Sequence, residues 1–285
     1  MNIEQQLRNA VQFSSLDDIR KILQKRPDVN AVGESGNTAL IWAVERQNMQ
    51  VVQILLEAKA EINVLKSQWG TTPLICAVRN GDIEIFQKLM EAGADPNFDE
   101  CDGFTPLMWA VKNRRIDMVQ ALIGAGADVN AKRKGGETAL MMAGCAKCTQ
   151  ILINAGADVN AVDEDGWTPL IWAVKNRRID MVQTLINADA NLDAKRKGGE
   201  TALIMAVLHG CAKCAQILID AGADIYIKNR DGQTALMLAK ELGKVEVVKV
   251  LSIAEINSKT KHLLSELSTV KRRNLPLKRR RLNRR

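Results

Sequence analysis

Residues 102–111 read DGFTPLMWAV, and this stretch holds the signals for a tight turn followed by a helix. The opening Asp-Gly favours a turn because glycine tolerates a positive φ. Thr105 can cap the helix that follows, and Pro106 fits its first position, where no backbone hydrogen bond is lost. Leu107 and Val111 then lie one helical turn apart on an apolar stripe. The stretch therefore predicts a turn, a capped start and a helix with one buried side.

A second helix follows, because Val119, Leu122 and Ile123 repeat the helical spacing and Gly126 suits a helix end. The unit recurs along the chain, since its Thr-Pro-Leu or Thr-Ala-Leu tripeptide appears seven times at intervals of 30–34 residues. The threonines of these tripeptides are Thr38, Thr72, Thr105, Thr138, Thr168, Thr201 and Thr234. Such self-similarity is typical of stacked helix pairs.

The period and the tripeptide resemble those of the ankyrin repeat, a turn followed by two antiparallel helices. The resemblance covers about residues 1–254 and implies an all-α fold, an ankyrin-repeat solenoid of stacked helix pairs with β-hairpin-like turns. It implies about eight repeats, with an N-terminal capping repeat at 1–32, six repeats over 33–228 and a C-terminal capping repeat at 229–254. Residues 255–285 are expected to form a helical segment followed by a basic, disordered tail.

Three further features stand out within the repeats. Ankyrin repeats usually carry a histidine after Thr-Pro-Leu, but here every such position is Ile or Met, so the hydrogen bonds that this histidine makes between hairpins are expected to be missing. The segment 109–120 recurs residue for residue at 172–183, which indicates duplication of a two-repeat block. The repeat that begins at Thr138 is about three residues shorter than its copy, so it is expected to lack most of a turn where its two helices join.

The resemblance also indicates where a partner binds, because family partners usually contact the concave side formed by hairpin tips and first helices. At about 100° per residue, Trp109 lies about 200° from the core residue Leu107. Trp109 belongs to a series of equivalent residues, one in each repeat that carries the tripeptide. Two interpretations of this series remain open, since its side chains either contact a partner or wedge between neighbouring helices. The series consists of the residues two positions after the leucine of each tripeptide. Its members are Trp42, Cys76, Trp109, Met142, Trp172, Met205 and Leu238, of which Trp42, Trp109, Met142, Trp172 and Met205 are the candidate partner-binding residues.

Two basic hairpins are further candidates for partner binding. Their cations are Lys132, Arg133 and Lys134, and Lys195, Arg196 and Lys197. Local positive patches of this kind favour an acidic peptide. The alternative is ordinary solvated turn charge, which duplication alone would have copied.

The spacing of four cysteines suggests a metal site, but their positions in the repeats argue against one. Two Cys-x-x-Cys pairs, at 145–148 and 211–214, are two repeats apart, too far to share one tetrahedral ion. They are expected to be reduced structural thiols, with no metal and no cofactor. The two histidines, His209 and His262, lie in different segments, and the chain has neither a nucleophile motif nor a phosphate-binding loop. An enzyme is therefore not expected.

The chain's positive charge lies in its C-terminal tail. Nine of the last fifteen residues are Lys or Arg, so the net charge of +7 leaves −2 for everything before them. Two clusters resemble nuclear-import signals: Lys271, Arg272 and Arg273, then Lys278, Arg279, Arg280 and Arg281. Nucleic acid or an anionic surface is the alternative ligand, and a role in solubility alone is the third interpretation. Before the tail, Leu263, Leu264, Leu267 and Val270 form a short helical stripe that is expected to dock on the last repeat or to recruit a helix-binding partner.

Together these features predict a non-catalytic adaptor for protein–protein interaction. An unidentified protein binds the concave face, and an import carrier binds the tail. The alternative is nucleic-acid or anionic-surface binding through the tail, with the repeats as scaffold. Residues 1–10 lack a secretory signal and no apolar run is long enough for a membrane span, which predicts an intracellular protein, cytoplasmic and nuclear. The resemblance extends to ankyrin proteins that intracellular bacteria deliver into host cells.

Overall fold

The computed structural model describes residues 1–13, 15–33, 36–64 and 70–273, with side chains described up to residue 267. The chain divides into two compact units, residues 1–191 and 192–285, called here the N-terminal and C-terminal units. Every regular element within the described residues is helical.

The N-terminal unit is a row of helix pairs. Each odd-numbered helix packs against the even-numbered helix that follows it, and successive odd-numbered helices pack side by side. The helices are α1 (Ile3–Phe13), α2 (Leu16–Leu23), α3 (Ala39–Glu45), α4 (Met49–Glu57), α5 (Pro73–Asn80), α6 (Ile83–Glu91), α7 (Pro106–Lys112), α8 (Ile116–Gly124), α9 (Ala139–Met142), α10 (Ala146–Asn154), α11 (Pro169–Lys175) and α12 (Ile179–Asn187). This arrangement is the predicted solenoid of stacked helix pairs.

The C-terminal unit contains two further repeats of the same kind. Helices α13 and α14 form one antiparallel pair, and α15 packs on both α13 and α16. The bounds are α13 (Ala202–Leu208), α14 (Ala212–Asp220), α15 (Ala235–Glu241) and α16 (Val245–Arg273).

The repeated threonine begins the first helix of each repeat, as the sequence predicts. In six of the seven tripeptides its hydroxyl accepts a hydrogen bond from the backbone N–H three residues later, at 3.2–3.4 Å. Proline occupies the first turn of α5, α7 and α11. The apolar stripe behind each cap is buried, since Leu107, Val111 and Leu122 have almost no exposed surface.

The turns between repeats are hairpin-like, and the structure ties them together without the family histidine. Isolated antiparallel bridges join Lys132 to Thr138 and Lys228 to Thr234. The backbone N–H of Lys134 donates to the carbonyl of Asp102 at 2.8 Å, which links two successive hairpins. Gly103 permits this approach, because its φ is +80° and a Cβ there would lie 2.9 Å from the Arg133 Cα.

A row of asparagines also joins successive repeats. The side-chain oxygen of each accepts from a backbone N–H about 30 residues later, as in Asn97 with Asp128 at 2.7 Å and Asn130 with Asp158 at 2.8 Å. The amide group of the same asparagine donates to a carbonyl of the next repeat, as Asn97 does to Gly126 at 3.0 Å. These contacts join successive repeats without the family histidine, whose own hydrogen bonds between hairpins were the ones expected to be missing.

The short repeat loses its missing residues from the first helix. Helix α9 has four residues, whereas α7 and α11 have seven. Ala143 leaves the helical conformation, with φ −56° and ψ 126°, and α10 begins directly after Cys145. Thr138 makes no side-chain cap, and its buried hydroxyl oxygen is without a hydrogen-bond partner among the residues that the structure describes. The sequence prediction of a lost turn at this junction is confirmed.

Two threonines at equivalent positions are thus expected to respond oppositely to replacement by valine. Thr105→Val removes a cap and should lower the free energy of unfolding by about 1 kcal/mol. Thr138→Val removes a buried hydroxyl that bonds to nothing described, so the free energy of unfolding should be unchanged or slightly higher. Urea denaturation of both variants measures the difference, and equal losses would contradict this assignment of the caps.

The C-terminal helix differs from the sequence expectation. One continuous helix, α16, runs across the predicted domain boundary at residue 254 and includes residues 271–273, which were expected to lie in the disordered tail. Leu263, Leu264 and Leu267 are 58%, 62% and 59% exposed, so of the two alternatives for this stripe, docking on the last repeat is the wrong one. The side chain of Val270 lies outside the described residues. Within the described part of the chain, no helix is both long and apolar enough to cross a membrane.

Candidate functional site

The first-helix face is defined here as the exposed side of α7, α9 and α11 together with their hairpins. It carries two aromatic clusters, one on each long helix. In the Trp109 cluster, the rings of Phe104 and Trp109 lie 4.6 Å apart between centroids. In the Trp172 cluster, the rings of Trp167 and Trp172 lie 5.1 Å apart. Because α9 packs against both α7 and α11, the two clusters belong to one continuous row of helices.

A lysine covers each tryptophan at the end of its helix. The Lys112 ammonium lies 4.8 Å from the Trp109 ring centroid, and that of Lys175 lies 4.6 Å from the Trp172 centroid. Both distances fit a cation–π contact, in which the negative face of the ring attracts the charge. The same helix end therefore offers an aromatic surface and a positive charge.

Glu100 fixes the orientation of the Trp109 ring. Its carboxylate accepts the indole N–H at 3.0 Å and the Thr71 hydroxyl at 2.8 Å. Arg79 lies 3.8 Å from the same carboxylate, and its guanidinium carbon lies 5.0 Å from the Trp109 ring centroid. Thr71 and Arg79 thus hold the carboxylate that holds the ring, so the ring is preorganised in one orientation.

Trp172 lacks this support. The residue equivalent to Glu100 is Asp163, whose shorter side chain accepts instead from the backbone N–H groups of Asp165 at 2.9 Å and Trp167 at 2.8 Å. The indole N–H of Trp172 is buried and has no acceptor within the described part of the chain. Duplication therefore copied the ring but not its hydrogen bond.

The remaining members of the predicted series divide by burial. Trp42 and Met142 are half-buried, like Trp109 and Trp172. Cys76, Met205 and Leu238 are buried, with Met205 only 4% exposed. Packing is therefore the role of Met205, and its prediction as a partner-binding residue is corrected on that ground.

The arginines of the two basic hairpins form ion pairs with carboxylates of the protein itself. The Arg133 guanidinium donates twice to Glu137, at 3.0 and 3.1 Å, and lies 3.8 Å from Asp102. The hydrogen bond to Glu137 raises the pKa of Arg133, and the matching bond from Arg196 at 2.8 Å lowers the pKa of Glu200. The lysines Lys132, Lys134, Lys195 and Lys197 remain exposed. Positive charge offered by the hairpins therefore comes from lysine.

Comparison with known proteins agrees with this architecture. A family profile described as "Ankyrin repeats (3 copies)" matches four overlapping stretches, residues 7–100, 65–133, 107–196 and 188–261. The chain belongs to the ankyrin-repeat family. The crystal structure of the ankyrin repeat domain of Bcl-3, described as a unique member of the IkappaB protein family, is 32% identical to it, with a TM-score of 0.66. The alignment covers 77% of this chain and all of that domain. No curated protein matches the sequence.

Several residues of the candidate site were not predicted from the sequence. Phe104 and Trp167, each directly before the capping threonine, complete the aromatic clusters, and this fixed position is a signal that could have revealed them. Glu100 lies in the hairpin before Trp109 and Arg79 lies in the preceding repeat, and no local pattern marks their contact with Trp109.

The two Cys-x-x-Cys pairs differ within the ankyrin stack. The structure pairs Cys211 and Cys214 as a disulfide, which differs from the expectation of reduced thiols. The sulfurs of Cys145 and Cys148 lie 3.2 Å apart as free thiols. In the described residues, no three His, Cys, Asp or Glu side chains group as metal ligands.

Cys145 has an environment suited to the thiolate. Burial raises the pKa of its thiol, but hydrogen bonds from Cys148 and from the backbone of Lys147, together with the charge of Arg114, outweigh burial and lower it overall. Burial raises the pKa of Cys148 to about 12, and that of Cys76 to about 12. The three thiols should therefore differ in reactivity, because the thiolate is the nucleophile.

We expect iodoacetamide at neutral pH to alkylate Cys145 well before Cys148 and Cys76 in the folded protein. The lowered pKa gives Cys145 the largest thiolate fraction of the three. Timed quenching followed by peptide mass spectrometry measures each rate, and unfolding in urea should bring the three rates together. Faster labelling of Cys148 or Cys76 in the folded protein would contradict this description.

Proposed function

We propose that this ankyrin protein is a non-catalytic adaptor whose first-helix face binds a protein partner around Trp109 and Trp172. Ankyrin stacks generally serve protein–protein interaction, which agrees with the family assignment. The observation that carries the proposal is that two half-buried tryptophans lie on one row of helices, each under a lysine. Tryptophan is enriched among the residues that contribute most to binding.

The charge of this face favours an acidic partner. Lys112 and Lys175 lie beside the two rings, and Lys132 and Lys134 are exposed on the hairpin between them. Opposite charges steer association and select among partners. The partner surface is therefore proposed to be an acidic segment with apolar side chains.

The tail is proposed to bind an import carrier, which would make the protein cytoplasmic and nuclear. The alternative location is a host cell into which the protein is delivered. Support comes from its density of Lys and Arg. Residues Lys278, Arg279, Arg280 and Arg281 lie outside the described residues. Residues 271–273 end α16, and their side chains lie outside the description. Nucleic acid bound by the tail is the competing function.

A crosslinked pull-down from cells, read by mass spectrometry, tests the proposal. It compares the intact chain with a Trp109→Ser, Trp172→Ser protein whose helix content is verified by circular dichroism. A protein captured only by the intact chain identifies the partner. Equal lists would overturn the role of the first-helix face.

A salt series separates the competing function. Nucleic acid held by charge alone should be lost steeply as salt rises, because binding releases counterions. Deletion of residues 271–285 should abolish such binding and leave a partner on the first-helix face unaffected. Nucleic-acid capture that survives this deletion would exclude the tail as its site.

A further inference from the structure

The lost turn of α9 leaves a cavity in the first-helix face. Its volume is 320 Å³, and it lies beside Met142, where α9 ends three residues early, and beside Trp172 on the next first helix. The full-length copy of this repeat continues from Ala206 with Val207-Leu208-His209, and Val207 is completely buried there. The short repeat has no residue at that position, which explains the empty volume.

The cavity walls are mostly apolar. They come from Phe104, Met141, Met142, Trp172 and Met181. Methionine side chains adapt their shape to different groups, and two aromatic rings provide flat walls. A volume near 300 Å³ is at the lower end of the range for ligand pockets, which suits one large side chain better than a cofactor.

The rim of the cavity is positively charged. Arg133 is paired with Glu137, so these two charges offset each other. Lys112 contacts only aromatic rings among its described interactions, and the guanidinium of Arg178 donates to the carbonyl of Gly144 at 3.0 Å. Neither cation has a carboxylate partner in the described part of the chain. An acidic group on a ligand would therefore find two available cations beside an apolar pocket.

We propose that this cavity is a pocket for one leucine, methionine or phenylalanine side chain of the partner, flanked in the partner's sequence by Asp or Glu. The proposal rests on the proposed function and names the chemistry that the first-helix face selects. Loss of three residues thus converted a packed repeat junction into a recognition pocket, because the apolar volume that Val207 fills in the copy is left for a partner side chain.

The chain offers a matched control variant. Inserting a copy of Val207-Leu208-His209 between Ala143 and Gly144 restores the length of the sister repeat and fills the cavity. A second variant, Lys112→Glu, changes an exposed rim charge and leaves the apolar walls intact. Circular dichroism establishes that both proteins are folded.

The test selects phage-displayed random twelve-residue peptides on the intact chain and, in parallel, on the insertion protein. Peptides enriched only on the intact chain should carry Leu, Met or Phe with an acidic residue within two positions. By fluorescence polarisation, a representative peptide should bind at least ten-fold more weakly to the insertion protein and to Lys112→Glu. Replacing the peptide's apolar residue by alanine should cause the same loss, and this control is independent of folding.

The contrary outcomes are equally definite. Identical peptide families on both proteins, enriched peptides without the acidic–apolar pattern, or no enrichment on the intact chain would each overturn the pocket. The proposed function can survive that result. A cellular partner lost by the Trp109→Ser, Trp172→Ser protein but retained by the insertion protein would place binding on the first-helix face outside the cavity.

Discussion

Replacing Trp109 and Trp172 together with serine is expected to weaken partner binding about 1,000-fold while the helices persist. Each interface tryptophan of this kind contributes about 2 kcal/mol, and about 1.4 kcal/mol corresponds to a tenfold change in affinity. Both rings are half-buried, so their loss costs some packing but not the core beneath α7 and α11. Fluorescence polarisation with a labelled partner fragment measures the dissociation constant.

The matched control for this variant is Ile83→Ser. Ile83 is an apolar residue, 37% exposed, at the start of the second helix α6 and therefore away from the first-helix face. It should leave the affinity within about threefold of the intact chain, since surface contacts outside the interface contribute little. If Ile83→Ser and the double tryptophan variant weaken binding equally, the tryptophans do not define the site.

Phe86→Ala is expected to cause the largest loss of stability, about 3–5 kcal/mol. Phe86 lies in α6, is 1% exposed and is the largest fully buried side chain in the described residues. Its removal loses apolar burial and leaves a cavity that the rigid helix pairs fill only in part. Urea denaturation followed by circular dichroism should show a large fall in the unfolding midpoint.

Val119→Ala serves as the comparison for Phe86→Ala. Val119 occupies the equivalent position of the next repeat and is completely buried, but truncation removes only two methyl groups. The loss should be about 2 kcal/mol, at about 0.8 kcal/mol per buried carbon plus a smaller cavity. Similar losses for the two variants would mean that the Phe86 site collapses after truncation.

Sequence reasoning reached the fold because its signals are local. The capping threonine, the proline after it and the apolar stripe all lie within one repeat, and each is visible without knowing the neighbours. The structure confirms the caps of six repeats and the shortened helix at Thr138. Periodicity alone was sufficient to predict the stacking of the helix pairs, because each repeat packs against its neighbours in the same way.

The candidate site was less predictable because its contacts cross repeats. Glu100 lies in a hairpin and Trp109 in the helix that follows it. Arg79 and Thr71, which hold Glu100, come from the repeat before. The series of residues two after each leucine predicted positions but not exposure. Met205 is buried and Met142 half-buried although both follow the same pattern, and only Met142 lies in the repeat whose first helix is shortened.

The continuous helix α16 shows a signal that was present but not used. Residues 245–273 contain no glycine or proline, so nothing local ends the helix of the last repeat at residue 254. The apolar stripe correctly indicated helix, but a stripe does not show what covers it. In the structure Leu263 and Leu267 are exposed, so the last repeat does not cover this stripe.

Carbodiimide crosslinking of the partner complex tests the central claim most directly. This reagent joins a lysine to a carboxylate in direct contact, so it reports which lysines meet an acidic partner. Crosslinks at Lys112, Lys132, Lys134 or Lys175, with none at Lys88 or Lys147 on the second helices, are the result expected for binding on the first-helix face. Crosslinks at Lys88 and Lys147 without any on the first-helix face would contradict it.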